Sequence, residues 1–344
     1  MRTKTICGIM MLLVFMLPSS GKVFAGGSKE KKVESVSPGV SVSKERLEKW
    51  PTDTLTIIVP YNAGGTNDRQ ARALAPYIQK VLGVPVKIEN RPGGGTTVAY
   101  GVHRDKDPDD GSYIIYGHHI TYCTAVLRGA YKYDDFVSLG SMSNGHVVVI
   151  VNPKHSDVKD FKDFIEKIKA KPDKYSQPAG RGWPRVFDLL LKKEGLKTRL
   201  IPVEGGSSDR VLFLAGDVDF YITDYESSVA LFDPSEFKVL AIFSDNSPYK
   251  DLPPANRIMK ELGYTTRFPV MLTPRYFHVK KSFKEKHPER FEFLSQALIK
   301  AAKDPEFVEA MKKTGYIFDP RPIEEVDSVF RGIFDTITTY KEAF

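Results

Sequence analysis

The stretch that decides the fold opens Leu55-Thr56-Ile57-Ile58-Val59-Pro60-Tyr61-Asn62-Ala63-Gly64-Gly65-Thr66-Asn67-Asp68 and closes, after an amphipathic run, Val86-Lys87-Ile88-Glu89-Asn90-Arg91-Pro92-Gly93-Gly94-Gly95. Leu55–Val59 is a short, β-branched apolar run, the pattern of a buried strand, and Pro60 ends it. Ala71, Leu74, Ala75, Ile78 and Leu82 keep helical spacing. Thr66, Asn67 and Asp68 are candidate N-caps, and Pro76 is expected to kink or shorten the helix. Val86–Glu89 is the next strand, and the second glycine loop leads to a helix opening near Thr96 or Thr97. Two glycine loops, each after a strand and before a helix, predict two backbone cradles in a parallel α/β sheet. Ligands of such sheets sit beyond the carboxyl ends of the strands, and free N–H groups at helix amino ends favour anions.

These residues resemble the opening of the Bug family, the extracytoplasmic solute receptors of tripartite tricarboxylate transporters. The family pattern is roughly V-P-(F/Y)-x-x-G-G-x-x-D, a helix, then E-N-(R/K)-P-G-(A/G)-G, and both halves match in order and spacing. The resemblance continues at Asp109–Ile115, Tyr133–Phe136, Val203–Gly206 and Leu214–Phe220. It implies an α/β, two-lobed, periplasmic-binding-protein-like (type II) fold with a ligand cleft between the lobes. Residues 54–151 and 245–344 are expected to form lobe one and 152–244 lobe two, with crossings near Val151 and Phe243. It also implies a receptor that captures a small organic carboxylate, such as a di- or tricarboxylate, and delivers it to a membrane permease of one large and one small integral subunit. No cofactor and no catalysis are implied, and a monomer is expected.

The amino end carries its own signal. Arg2 and Lys4 precede the apolar run Ile6–Leu17, and Val23-Phe24-Ala25 offers small residues before Gly26. That is the pattern of a secretory signal peptide over residues 1–25, cleaved near Ala25, and it predicts a soluble periplasmic or cell-surface protein. Loss of Arg2, Lys4 and Lys22 leaves 47 basic residues against 43 acidic ones, so the net charge falls from +7 to +4. So mild an excess gives no reason to expect a nucleic-acid partner. Cys7 leaves with the leader, and Cys123, now alone, reads as a buried structural thiol. Residues 26–53, rich in Ser, Lys and Glu, read as a flexible tether.

Candidate ligand residues fall on loops at strand ends. The first glycine loop contributes Tyr61, Ala63, Gly64, Gly65, Thr66, Asn67 and Asp68. After the third strand, Tyr113–Tyr116, stand His118, His119 and Thr121. The two histidines lack a Cys or carboxylate to complete a metal site, so ligand hydrogen bonding and plain packing remain their two readings. Small Ser, Thr or Gly residues are usual there in the resembled family. Gly180-Arg181-Gly182-Trp183-Pro184 puts a cation and an indole in a loop where the family has a small-residue turn. Arg181 is expected to hold a carboxylate by two parallel bonds, and Gly182 and Trp183 to line the cleft, the alternative being a surface arginine and a packing tryptophan. Gly205, Gly206 and Ser207 form a third loop of the same kind, before a helix Asp209–Ala215 closed by Gly216. Asp224, at a strand end, caps the next helix, meets a ligand amine, or holds the hinge. From about Pro269 the chain is expected to be helical scaffold.

Two other functions compete. An exported hydrolase or nucleotide-dependent enzyme would carry a G-x-S-x-G elbow, a Walker loop or H-E-x-x-H, and the sequence has none of these. A sensory module presenting a ligand to a membrane kinase would have the same cleft, and neighbouring genes would separate it from a transport receptor.

Overall fold

The computed structural model describes Trp50 and residues 53–344, except 180–181, 204–205 and 247, and only the backbone of Gly206. The signal peptide, most of the tether and Arg181 therefore lie outside the described residues.

Two separate sheets organise the chain. The first has the order β2-β1-β3-β10-β4, with β1 Leu55–Val59, β2 Val86–Asn90, β3 Tyr113–His118, β4 Phe136–Ser143 and β10 Arg275–Lys280. β1 pairs in parallel with β2 and β3, whereas β10 runs antiparallel to both β3 and β4. The sheet is thus mixed, not parallel as its first three strands suggest. Every residue of β1 is buried, because helices cover both faces; this is why the sequence shows an unbroken apolar run instead of alternation. The helix α1, Thr66–Leu82, starts with Gly65 as N-cap, not Thr66, Asn67 or Asp68. It also runs on through Pro76. That proline is exposed, so the turn lacking its N–H faces solvent.

The second sheet has the order β8-β5-β9, all antiparallel, with β5 Val147–Val151, β8 Tyr221–Asp224 and β9 Lys238–Ile242. A parallel pair, β6 Ser176–Ala179 and β7 Arg199–Pro202, stands beside it. β5 is the central strand of the second sheet, although its residues had been given to lobe one. Residues beyond 245 also pack with this sheet: the Phe268 ring stacks on Phe187 at 5.3 Å and lies 5.1 Å from Phe243. Ala255 and Met259 of α8, Ala255–Glu261, are buried in the same cluster.

The chain therefore crosses between Ser143 and Val147 and returns between Met271 and Arg275. The two crossings are bonded to one another: Thr273 N–H donates to Gly145 O at 2.8 Å, and Val147 N–H to Met271 O at 3.2 Å. A Cβ on Gly145 would lie 2.3 Å from Thr273 Oγ1 and 2.9 Å from Asp224 Cβ, so only glycine fits. The segment after Met271, expected to be helical, supplies strand β10. Its Arg-Tyr-Phe-His-Val-Lys sequence is buried over the first five residues, with no polar face to reveal a period. The remaining elements are α2 Thr97–Asp105, α3 His119–Leu127, α4 Phe161–Ala170, α5 Trp183–Lys193, α6 Gly206–Ala215, α7 Tyr225–Leu231, α9 Lys281–Lys286, α10 Pro288–Ala302, α11 Pro305–Lys313 and α12 Ile323–Thr339.

Candidate functional site

A cavity of about 430 Å³ opens between the two sheets, at the carboxyl ends of β1, β3 and β8. Three helices begin in its wall without a side-chain cap: α1 at Gly65, α3 at His118 and α5 at Gly182. Gly65, Thr66, His118, Ile120, Trp183 and Pro184 from those starts line the cavity, and Ser207 of α6 joins them. The first N–H groups of a helix have no partner inside it, and the helix dipole is positive there. Not all of these donors are free: His119 N–H donates to Pro274 O at 3.0 Å, Arg185 N–H donates to Gly182 O at 3.1 Å, and Pro184 has no N–H, so α1 offers the fullest set to a ligand or water.

Of the residues singled out from the sequence, Tyr61, Gly65, Thr66, Asn67, His118, Thr121, Trp183, Ser207 and Asp224 come together in this wall. Tyr61 is wired to its neighbours: its hydroxyl lies 2.6 Å from Thr121 Oγ1 and accepts from His118 N–H at 3.2 Å. Trp183 is almost fully buried, and its Nε1–H donates to Leu272 O in the returning segment at 2.7 Å. The indole thus ties lobe two to a crossing while its ring walls the cavity.

Other candidates stand elsewhere. Asp68 accepts from Gly64 N–H at 2.8 Å and from Arg72 Nε at 3.1 Å, so it shapes the loop from behind, and Ala63 and Gly64 are exposed outside the cavity. His119 turns the other way. Its Nε2 lies 2.9 Å from Phe330 O, and its ring stacks on Phe330 at 4.5 Å, under α12. Burial pushes this imidazole down to about 4, so it is neutral. Gly182 is buried behind Ile120, where an added Cβ would lie 2.7 Å from Cγ1. Arg181 and Gly205 fall outside the described residues, and of Gly206 only the backbone is described. Among the described residues no cluster of three His, Cys, Asp or Glu side chains could hold a metal ion. Cys123 is buried and free, and burial pushes its thiol well up.

The residue that sequence reasoning missed is Arg275. It opens β10 opposite His118 of β3, so the antiparallel register brings both to the same sheet end. Only 1% of it is exposed. Its Nη2 donates to both oxygens of Asp224, at 3.3 Å each, and to Ser227 Oγ at 3.1 Å, while Nε donates to Asn67 Oδ1 at 3.2 Å. Asp224 belongs to lobe two and also caps α7, accepting from Ser227 N–H at 2.9 Å. One buried ion pair therefore joins the lobes across the cavity wall. Burial pushes the Asp224 carboxyl up, but the Arg275 charge, His118 and the Ser227 hydrogen bonds together outweigh it and hold it below its ordinary value. Burial and then the Arg275 charge push His118 down to about 3, so it presents a neutral imidazole to the cavity. The signal that could have found Arg275 is a lone cation in a run of aromatic and β-branched residues, since a charge buried there must be paired. Asp209, Arg210 and Tyr221 also reach the cavity from lobe two.

The comparisons with known proteins agree with this geometry. The sequence profile described as the tripartite tricarboxylate transporter family receptor matches residues 70–328. A Cupriavidus necator protein, the UPF0065 protein in the gbd 5' region, is 24% identical over 229 residues, covering 64% of this chain and 68% of its own. Among solved structures, the periplasmic binding protein BugD superposes with a TM-score of 0.70 at 23% identity, over 86% of this chain and 98% of its own. MatC from Rhodopseudomonas palustris, solved with bound malate, gives 0.70 at 21%, over 86% and 99%. Sequence, two-lobed periplasmic-binding-protein-like fold and an open cleft between lobes converge on one conclusion: this chain belongs to the family of tripartite tricarboxylate transporter receptors.

Proposed function

We propose that this receptor captures a small organic carboxylate in the cavity between its sheets, without chemical conversion, and hands it to the permease subunits of its transporter. The observation that carries the reading is the convergence of three uncapped helix starts, α1, α3 and α5, on one cavity. Such donors suit a carboxylate, and the neutral His118 ring adds one donor or acceptor without adding charge. The family match supports a transporter role, and the malate in MatC supports the ligand class. On this reading lobe one comprises residues 53–143 and 275–344, lobe two 147–271, and the bonded crossings at Gly145 and Thr273 are the hinge. The chain acts outside the cytoplasmic membrane as a monomer, exported by its cleaved amino-terminal signal, and Arg181 adds a carboxylate contact from the loop before α5. Calorimetric titration of the purified protein with succinate, malate and citrate tests it. Saturable binding of at least one acid, with the acid recovered unchanged, is the expected result. Absence of binding to every acid, or its conversion to product, overturns the proposal.

A further inference from the structure

One carboxylate in the cavity wall has no use in the reading above. Asp209, in the first turns of α6, is only 7% exposed and lines the cavity. Its Oδ1 is buried with no hydrogen-bond partner, and its Oδ2 accepts a single long bond from the Tyr221 hydroxyl at 3.4 Å. An acid near a helix start complements the dipole equally well from an exposed position, so the dipole does not explain the burial. A buried, unpaired carboxylate oxygen is costly, and it repels the acid groups this cavity is built to take. Burial accordingly pushes the Asp209 carboxyl up to about 6. The next residue, Arg210, also lines the cavity, and its guanidinium makes no hydrogen bond or ion pair among the described residues. Asp209 and Arg210, adjacent on one helix, thus line one cavity, the first with a carboxylate oxygen that has no partner and the second with no ion pair among the described residues.

We propose that Asp209 and Arg210 read a zwitterionic head group, so that the ligand is an α-amino carboxylate. The ligand ammonium donates to Asp209 Oδ1, and its carboxylate takes the Arg210 guanidinium and the helix starts. This inference rests on the carboxylate-receptor reading and narrows it. A site built to hydrogen-bond a substrate donor rejects the analogue that lacks it, because the buried acceptor is then left unpaired. The carboxylate of Asp209 also works against plain di- and tricarboxylic acids, which supplies discrimination by repulsion as well as by attraction.

The test is calorimetric titration at pH 7 of the purified protein with aspartate, malate and succinate and with their five-carbon counterparts. Within each set the skeleton is constant, and only the C2 substituent changes, from ammonium to hydroxyl to hydrogen. The wild-type protein is expected to bind the amino acid at least tenfold tighter than the unsubstituted diacid, with the hydroxy acid between. Asp209→Asn is expected to lose at least tenfold for the amino acid while holding or gaining affinity for the diacid. Equal wild-type affinity across a set overturns the inference and leaves the carboxylate receptor standing. An unchanged order of affinities in Asp209→Asn overturns it too. Failure of all six acids to bind overturns the receptor reading and this inference together. The wild-type ranking needs no variant, so it stands even if Asp209→Asn does not fold.

Discussion

Replacing Arg275 with methionine removes the only cation that bonds to Asp224 in the described structure, while keeping an apolar stem of similar length. The guanidinium makes four bonds, two to Asp224, one to Ser227 and one to Asn67. Asp224 keeps its hydrogen bonds to Ser227 but loses its counter-charge while remaining buried. Breaking a buried pair by deleting one partner costs about 3–5 kcal/mol, mostly from the stranded charge. At a urea m-value of about 3 kcal/mol per molar, the midpoint should fall by about 1–1.7 M. The pH dependence carries the sign. In the wild type the folded Asp224 carboxyl lies below its unfolded value, so its stabilisation is present at neutral pH and is lost as pH falls through the depressed value. In Arg275→Met burial acts on Asp224 without Arg275, the carboxyl rises, and the penalty present at neutral pH is relieved on acidification. The stability gap between the two proteins should therefore narrow from pH 7 towards pH 4. Asp224→Asn combined with Arg275→Met should recover part of the loss. Urea denaturation followed by circular dichroism measures all of this. A gap below about 1 kcal/mol at pH 7, or one that widens on acidification, would refute the buried inter-lobe ion pair.

Gly145→Ala should lower stability by about 1–3 kcal/mol, the usual cost of overpacking, because a Cβ there meets Thr273 Oγ1 at 2.3 Å; a melting temperature equal to wild type would show that the crossing gives way freely. The His118 ring should remain unprotonated from pH 8 down to about pH 4, as burial and Arg275 dictate. Histidine NMR titration checks this, and an ordinary titration near pH 6.5 would contradict it. Trp183 lines the cavity, whereas Trp50, stacked on Phe283 at 5.9 Å, does not. Ligand binding should accordingly change tryptophan emission in the wild type and leave it unchanged in Trp183→Phe, measured by fluorescence titration.

The sequence by itself determined the local pieces, and for physical reasons that act locally. β1 and α1 were legible because burial on both faces demands an apolar run and an amphipathic helix shows its period, and the half-exposed edge strand β2 was legible from its alternation of apolar and polar residues. Glycine loops announce helix starts, and six residues named from such loops, Tyr61, Gly65, Thr66, Asn67, Trp183 and Ser207, line one cavity. Asp224 was legible as a cap because capping involves residues three apart. The signal-peptide reading rests on local signals of the same class, on residues the structure does not describe.

What only the tertiary structure decided depends on partners far away in the chain. His118 and His119 are neighbours with equal claims in the sequence; β3 ends between them, so one ring faces the cavity and the other packs on Phe330 in the last long helix. Arg275 lies 51 residues from Asp224 and 208 from Asn67, and nothing in its own segment states that a carboxylate waits for it. β10 showed no period because every side chain but the last is enclosed, and burial on both faces erases the alternation that marks a strand. The packing of Phe268 on Phe187 and Phe243 was hidden for the same reason, because that contact exists only once the sheets have formed. Asp209 reads as an ordinary acid at a helix start until folding encloses it. Burial with one oxygen left without a partner is what sets that carboxylate apart, and burial is a property of the assembled chain.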